Sequence, residues 1–544
     1  MKRSLKKTTK WLSTALLFTL HSSLFTSCSD QWNDHYESTS QAEAKGSLWT
    51  AISENSNLSN FARVAKVCGY DRILSGNQTY TVFAPTNAHF TDAEADVLVD
   101  SYNEQVAKGV EDKNNTVVLR FLQNHIAMYR HPVSSMTNDT ISMMNHKYMP
   151  LTFDGIYGKL FTMKNSLCAN GLLFTIDEKL DYIANVFESL DIEEGLDSVY
   201  AFLNSHSIYE FSESESVPGE IIDGVTHYLD SVTHLRNDLL ERFGYISSED
   251  SSYIMVAPVN SEWERLVNEY APYFVYAKNI EGADSMAYTN TRLAIVGGSI
   301  FSRNTNKALQ DSAVSTQAYS YQIRQMMGMD ESYYIFQKPY GEGGIFNGTK
   351  NITCSNGQTL KATSFAIPKT KTFLQAVRVE AENHIDTILN ANSIVRTPQV
   401  VSNNPFYGQV SDNCFIVARP DKDDSKVILG FRVPRLLASA KYNVYAVFAP
   451  ATAADIRDVE ETTKPLTVVS GISQTDKNGK MVQARLRNPK TVDCTKVDTL
   501  LLQSNVTINT CGYDLSTPNV RLDIQSNTPG ATLRIDCIKF VPTE

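Results

Sequence analysis

The sequence predicts a multidomain chain, two α+β domains followed by an all-β antiparallel sandwich, and three observations carry that reading. A strand-and-turn signature occurs twice, as YTVFAPTNAHF from Tyr80 to Phe90 and as YIMVAPVNSEW from Tyr253 to Trp263. From Ala376 onward the pattern changes to short alternating strands with no long helical period. The chain has 544 residues, 42% of them apolar. Single cores stop growing near about 250–300 residues, so three domains are expected.

The chain opens MKRSLKKTTK, with five cations and no anion, and continues WLSTALLFTL, an apolar run too short to span a bilayer. That is the layout of a secretory leader, expected over residues 1–27 and followed by a tether over 28–45. Leu24, Phe25, Thr26 and Ser27 ahead of Cys28 resemble the box of bacterial lipoprotein signals, with Phe25 where Leu is usual. The resemblance implies that Cys28 becomes an acylated first residue, palmitate included. The alternative is an ordinary leader that leaves Cys28 a plain thiol. Asp30 and Asp34 resemble the signal that sends some lipoproteins to the outer face of the outer membrane. A lipid-anchored, cell-surface protein is therefore expected. Losing the leader's five cations makes the remainder more acidic than the −11 of the whole chain, which disfavours nucleic acid as a partner. Beyond Cys28 stand seven cysteines, an odd number, so at least one stays unpaired. No C-x-x-C pair supports a zinc site, and disulfides among the last four stay open.

The repeated signature has a physical reading. A β-rich run ends where proline removes a ladder donor, and an asparagine side chain then starts a turn and a helix. In the first copy the signature residues are Tyr80, Val82, Ala84, Pro85 and Asn87. Upstream, Leu48, Ile52, Leu58, Phe61, Ala65 and Val67 have helical spacing, interrupted by a polar turn at residues 55–57. Downstream come VVLRFLQNHIAMY, with His125 and Tyr129, and a closing NGLLFTIDEKL. These motifs in this order resemble the fasciclin domain, over residues 46–183. Tyr129 follows His125 sooner than is usual in that family, which separates this chain from functions tied to the pair. A second, divergent copy is expected over residues 188–372, with Tyr253, Ala257, Pro258 and Asn260. Where the family carries its histidine, this copy reads RLAIVGGSIF. Its insertion at 304–348, rich in aromatic residues and glycine, suits either a binding loop or strands packed under a turn. A third VFAP at 447–450 lacks the asparagine and reads as a strand end in another domain.

Residues 376–544 read as a jelly-roll-like sandwich. Its opening VRVEAENHID and closing LRIDCIKFVP resemble the first and last strands of galactose-binding-like carbohydrate-binding modules, with FRVP and YNVYAVF as a middle strand pair. That resemblance implies a structural calcium held by Glu380 and Asp536. The alternative is that these acids face solvent, as carboxylates on alternating strands do by default. Tyr407, Tyr442, Tyr445 and Tyr513 are sugar-stacking candidates by residue type alone.

No nucleophile elbow, zinc helix or phosphate loop is present. His227 and His234 would share a face only if their stretch were helical, and Glu193 and Glu194 lie in DIEEGLD, a linker or a helix start. The expectation is therefore a non-enzyme that binds or adheres to an extracellular protein or glycan. One alternative is an accessory glycan-binding subunit beside an outer-membrane transporter, and another is a hydrolase with an unrecognised site. No cofactor is expected apart from the calcium.

Overall fold

The computed structural model describes residues 46–222, 224–303, 311–317, 334–395 and 399–543, and the chain divides into two compact units. The leader, the tether and Cys28 lie outside the described residues. One unit comprises the chain up to Tyr182 with Glu210–His234; the other comprises Ile183–Tyr209 and Leu235 onward.

The first unit begins with helices α1 (Leu48–Ser53) and α2 (Ser59–Val67). Leu48, Ile52, Leu58, Phe61 and Ala65 are fully buried, as their spacing predicts. Val67 departs from the prediction at 37% exposure, and Val64 takes the inward place. At 3.6 residues per turn, 61, 64 and 65 share a side that 67 leaves. Helix α3 (Asp92–Ala107) starts with a capping box between Thr91 and Glu94. Strands β1 (Tyr80–Pro85), β2 (Ile126–Met128), β3 (Asn138–Ser142), β4 (Tyr148–Thr152), β5 (Gly155–Ile156), β6 (Lys159–Cys168) and β7 (Gly171–Ile176) form one sheet, ordered β2-β1-β7-β6-β5-β4-β3. β1 and β7 run parallel, Tyr80 opposite Gly171 and Pro85 opposite Ile176. Both are buried throughout, which is why they read as apolar runs rather than alternating ones. A Cβ on Gly171 would lie 2.1 Å from the Tyr80 carbonyl oxygen, so only glycine fits there.

Strands β8 (Ser207–Ile222) and β9 (Val225–Asn237) form a two-stranded ribbon. His227 and His234 stand on β9, not on a helix, so their seven-residue spacing puts them on opposite faces. Valine and threonine at 225, 226, 232 and 233 favour the extended form.

The second unit repeats the first unit's frame. Helices α4 (Val186–Ile192) and α5 (Asp197–Asn204) lead, so DIEEGLD is the turn between two helices of one domain and not a link between domains. Helices α6 (Asp238–Phe243), α7 (Asn260–Tyr270) and α8 (Ala283–Ser299) follow. Strands β10 (Tyr253–Pro258), β11 (Ile300–Ser302), β12 (Ser312–Ser315), β13 (Ile335–Gln337), β14 (Lys350–Cys354) and β15 (Gly357–Ala362) are ordered β13-β12-β11-β10-β15-β14. Tyr253 faces Gly357 and Pro258 faces Ala362 in parallel, matching β1 and β7 residue for residue. In the insertion's described part, Phe336 and Phe346 are buried against Phe301, so this part is packed strand and turn.

The sandwich has two antiparallel sheets. Strands β16 (Val377–Glu380), β17 (Ile385–Leu389), β18 (Ala391–Val395), β19 (Ile416–Pro420), β20 (Ile428–Val433), β21 (Lys441–Phe448), β22 (Leu466–Thr475), β23 (Met481–Val482), β24 (Arg487–Val492), β25 (Asp498–Thr507), β26 (Val520–Ser526) and β27 (Leu533–Pro542) build it. One sheet runs β18-β19-β27-β21-β25 with β16 also on β27; the other runs β17-β20-β26-β22-β23 with β24 on β22. FRVP and YNVYAVF are not a strand pair, because β20 and β21 lie in opposite sheets and the residues between them cross the core. The third VFAP is the end of β21. Tyr273, Phe274 and Tyr276 of the α+β domain sit in the sandwich's own core cluster. Backbone bonds from Ala438 N–H to the Tyr273 carbonyl (3.0 Å) and from Cys511 N–H to the Val275 carbonyl (2.7 Å) join the two. All seven described cysteines are free thiols. No described helix is long and apolar enough to cross a membrane.

Candidate functional site

The signature asparagines are tertiary clamps: neither side chain caps the helix that follows, although Asn260 is the first residue of α7. Asn87 Oδ1 accepts from Asn60 N–H at 3.2 Å, and its Nδ2 donates to the Ser56 carbonyl (2.9 Å) and Ser59 Oγ (2.8 Å). Asn260 does the same in the second unit, accepting from Ser198 N–H (3.0 Å) and donating to Asp197 (2.9 Å). In both copies the side chain satisfies orphan donors at the start of an earlier helix. The rest of each signature is core or strand: Tyr80, Val82 and Ala84 are fully buried, as is Ala257, while Pro85 and Pro258 end their strands.

A second clamp was not singled out in the sequence. Asn170 accepts from Leu48 N–H at 2.7 Å and donates to the Leu74 and Gly76 carbonyls at 2.9 and 2.8 Å. Asn356 accepts from Val186 N–H at 2.8 Å and donates to the Ile246 and Ser248 carbonyls at 2.9 and 2.8 Å. The Asn-Gly pair that closes each copy, at 170–171 and 356–357, is the signal that marks it.

His125 is fully buried. Its Nδ1 lies 2.7 Å from the Phe121 carbonyl, and its Nε2 accepts from Leu180 N–H at 2.9 Å. The ring is thus neutral with the proton on Nδ1, and burial holds its pKa down to about 4. Asn124 beside it donates to the Leu180 and Asp181 carbonyls, so this pair pins the end of the domain. Tyr129 is 68% exposed at φ 64, away from any such role. In the second copy the β10–β11 register places Ser299 where the first has His125.

Among the described residues, the sandwich contains the one cluster that could hold a metal ion. Ligand atoms of Glu380, Asp536 and Cys537 lie within 4.8 Å of one another. Asp536 is only 2% exposed, so it is not a solvent-facing strand residue. A bulge explains this: Ile535–Ile538 of β27 spans three steps against the two from Ala446 to Phe448, which turns the extra residue inward. Its Oδ1 accepts from Ser411 N–H at 3.1 Å, and burial raises its pKa to about 7. Glu380 Oε1 meets Arg378 Nε at 2.9 Å, whereas Glu380 Oε2 and Glu382 Oε2 are buried with no hydrogen-bond partner. Burial raises both glutamates' pKa values, and the Asp412 charge adds to it.

A buried carboxylate oxygen without a partner is costly unless a cation satisfies it. The two carboxylates are hard oxygen donors, the kind that fit calcium. Cys537 Sγ belongs to the same cluster, and burial raises its thiol pKa. Of the tyrosines singled out by type, Tyr442 is fully buried core, Tyr407 is 52% exposed, and Tyr445 and Tyr513 are half-buried. Tyr442 and Tyr513 line one cavity, which Tyr407 and Tyr445 do not.

Comparison with known proteins places these findings. None of the curated proteins matches. Among solved structures, a FAS1 domain pair from the insect cell adhesion molecule fasciclin I is similar over 58% of this chain and 99% of its own, at 11% identity and a TM-score of 0.18. The C-terminal CBM6 of a laminarinase from Zobellia galactanivorans is similar over 31% of this chain and 99% of its own, at 9% identity and a TM-score of 0.18. A CBM35 from Paenibacillus barcinonensis covers 31% of this chain and 98% of its own, at 14% identity and a TM-score of 0.18. The family model described as fasciclin domain matches residues 56–181, and that stretch of the chain is a fasciclin domain.

Proposed function

We propose that this chain is a non-catalytic, lipid-anchored surface protein that binds an extracellular glycan or protein ligand. The observation that carries the reading is the series of modules in one chain. Residues 24–27 ahead of Cys28 resemble a lipoprotein box, a fasciclin domain follows at 56–181, and a two-sheet sandwich comes last. The fasciclin signature residues are spent on architecture, which leaves ligand contact to surfaces beyond the motif. Calcium held by Glu380 and Asp536 would supply charge neutralisation and stiffen the junction of β16 with β27. Metabolic labelling with a radioactive fatty acid tests the anchor, and a Cys28→Ala protein that still takes up label removes it. Protease treatment of intact cells tests display.

The second reading, an accessory glycan-binding subunit of an uptake system, draws on the sandwich. Affinity gels cast with individual polysaccharides separate the two. Retardation by a polysaccharide together with co-purification of a transporter supports the second reading. Cell attachment lost on deletion, with growth on glycans unchanged, supports the first.

A further inference from the structure

We propose that the cavity between α8 and the sandwich binds one acidic sugar ring, with Arg242 and Arg435 holding its carboxylate. This rests on the glycan-binding reading and narrows it to a ring and a charge. The cavity measures about 160 Å³. An engineered cavity of about 150 Å³ accepts one benzene, so the space suits a single six-membered ring. Its walls come from both domains, the usual place for a small-ligand site. Phe274 and Phe373, with ring centres 5.7 Å apart, and Tyr513, edge-on to Phe274 at 6.4 Å, provide apolar faces of the kind that sugar C–H groups stack on. Asn290 adds a carboxamide.

The electrostatics select the charge. Among the described residues that line the cavity there is no aspartate or glutamate, although the whole chain carries −11. Arg242 comes from the α+β domain and Arg435 from the sandwich, and neither pairs with a carboxylate among the described residues. Arg242 donates to Tyr513 Oη at 3.4 Å, which holds its guanidinium at the cavity wall. Arg435 has φ 62, a left-handed conformation that costs a non-glycine residue energy and that clusters at functional sites. Two arginines that line one cavity with aromatic walls, neither paired with a described carboxylate, match a ring that carries a planar carboxylate.

Isothermal titration of the purified full chain with oligosaccharides of glucuronic or galacturonic acid, against neutral oligosaccharides of the same linkage, tests this. Binding of the acidic ligand is expected to weaken about tenfold in Arg435→Gln and in Arg242→Gln, and to weaken again in 1 M salt. Arg435→Gln is the cleaner variant, because Arg242 also bonds Tyr513. Acidic and neutral ligands binding equally, with both variants unaffected, overturns the proposal and leaves glycan binding standing. Benzoate displacing the acidic sugar at equal concentration overturns the sugar assignment. No binding of any glycan, with protein ligands retained, overturns the glycan reading as well.

Discussion

The two α+β domains share a frame and differ in how they close it. Both set a Tyr opposite a Gly in a central parallel pair, both clamp an early helix with the signature asparagine, and both fasten their first helix with the closing asparagine. The first then pins its end with His125 and Asn124, whereas the second has Ser299 in that register and shares its core with the sandwich. The comparison teaches that the asparagine clamps define the frame, while the histidine is one of two ways to finish it.

The largest test of the shared frame is Asn170→Ala beside Asn356→Ala. Each removes three hydrogen bonds to the backbone and orphans one buried N–H, that of Leu48 or of Val186, and each is expected to cost about 3–4 kcal/mol in denaturant unfolding of its own unit. A large loss in one unit and none in the other would break the equivalence. Next, His125→Ala is expected to cost about 3 kcal/mol through the lost ring packing and the orphaned Leu180 N–H, and Ser299→Ala about 1 kcal/mol or less. Equal effects would mean that the closures do not differ as described.

The units should also respond to pH in opposite directions. His125 has a folded pKa below its unfolded value, so its contribution is present above about pH 6.5 and is lost as pH falls toward 4. Asp536 has a folded pKa above its unfolded value, so its contribution is present below about pH 4 and is lost as pH rises through 7. Thermal scans in chelator from pH 4 to 8 should show the first unit's transition falling on the acid side and the second's on the alkaline side. Calcium should restore the second at pH 8, and Asp536→Asn should remove that calcium response. A scan at pH 8 that is the same with calcium and with chelator rules out the cation site. The smaller effects come last: Asn87→Ala and Asn260→Ala at about 1–2 kcal/mol each, and Val67→Lys within about 0.5 kcal/mol.

Much of this was legible from one chain. Periodicity placed α1 and α2, and the paired Y-x-x-x-A-P-x-N runs located two strands that the structure pairs identically. Alternation from Ala376 announced the sandwich. The misreadings share a cause: each residue was assigned a local role that a distant segment overrides. Asn87 looked like a helix starter and instead bonds residues 56, 59 and 60; His227 and His234 looked like a helix face and instead lie on a ribbon.

Local chemistry determined by itself the helices α1 and α2, the strands β1 and β10 with the prolines that end them, and that the chain is acidic, because those properties depend on neighbours a few residues apart. Tertiary structure alone decided which acids are buried. The alternation of β27 predicts Asp536 on an outward face, and only the bulge against β21 turns it toward Glu380. It also decided that Arg242 and Arg435, far apart in sequence, line one cavity. Such encounters depend on how whole sheets and helices pack, and no short window of sequence records that.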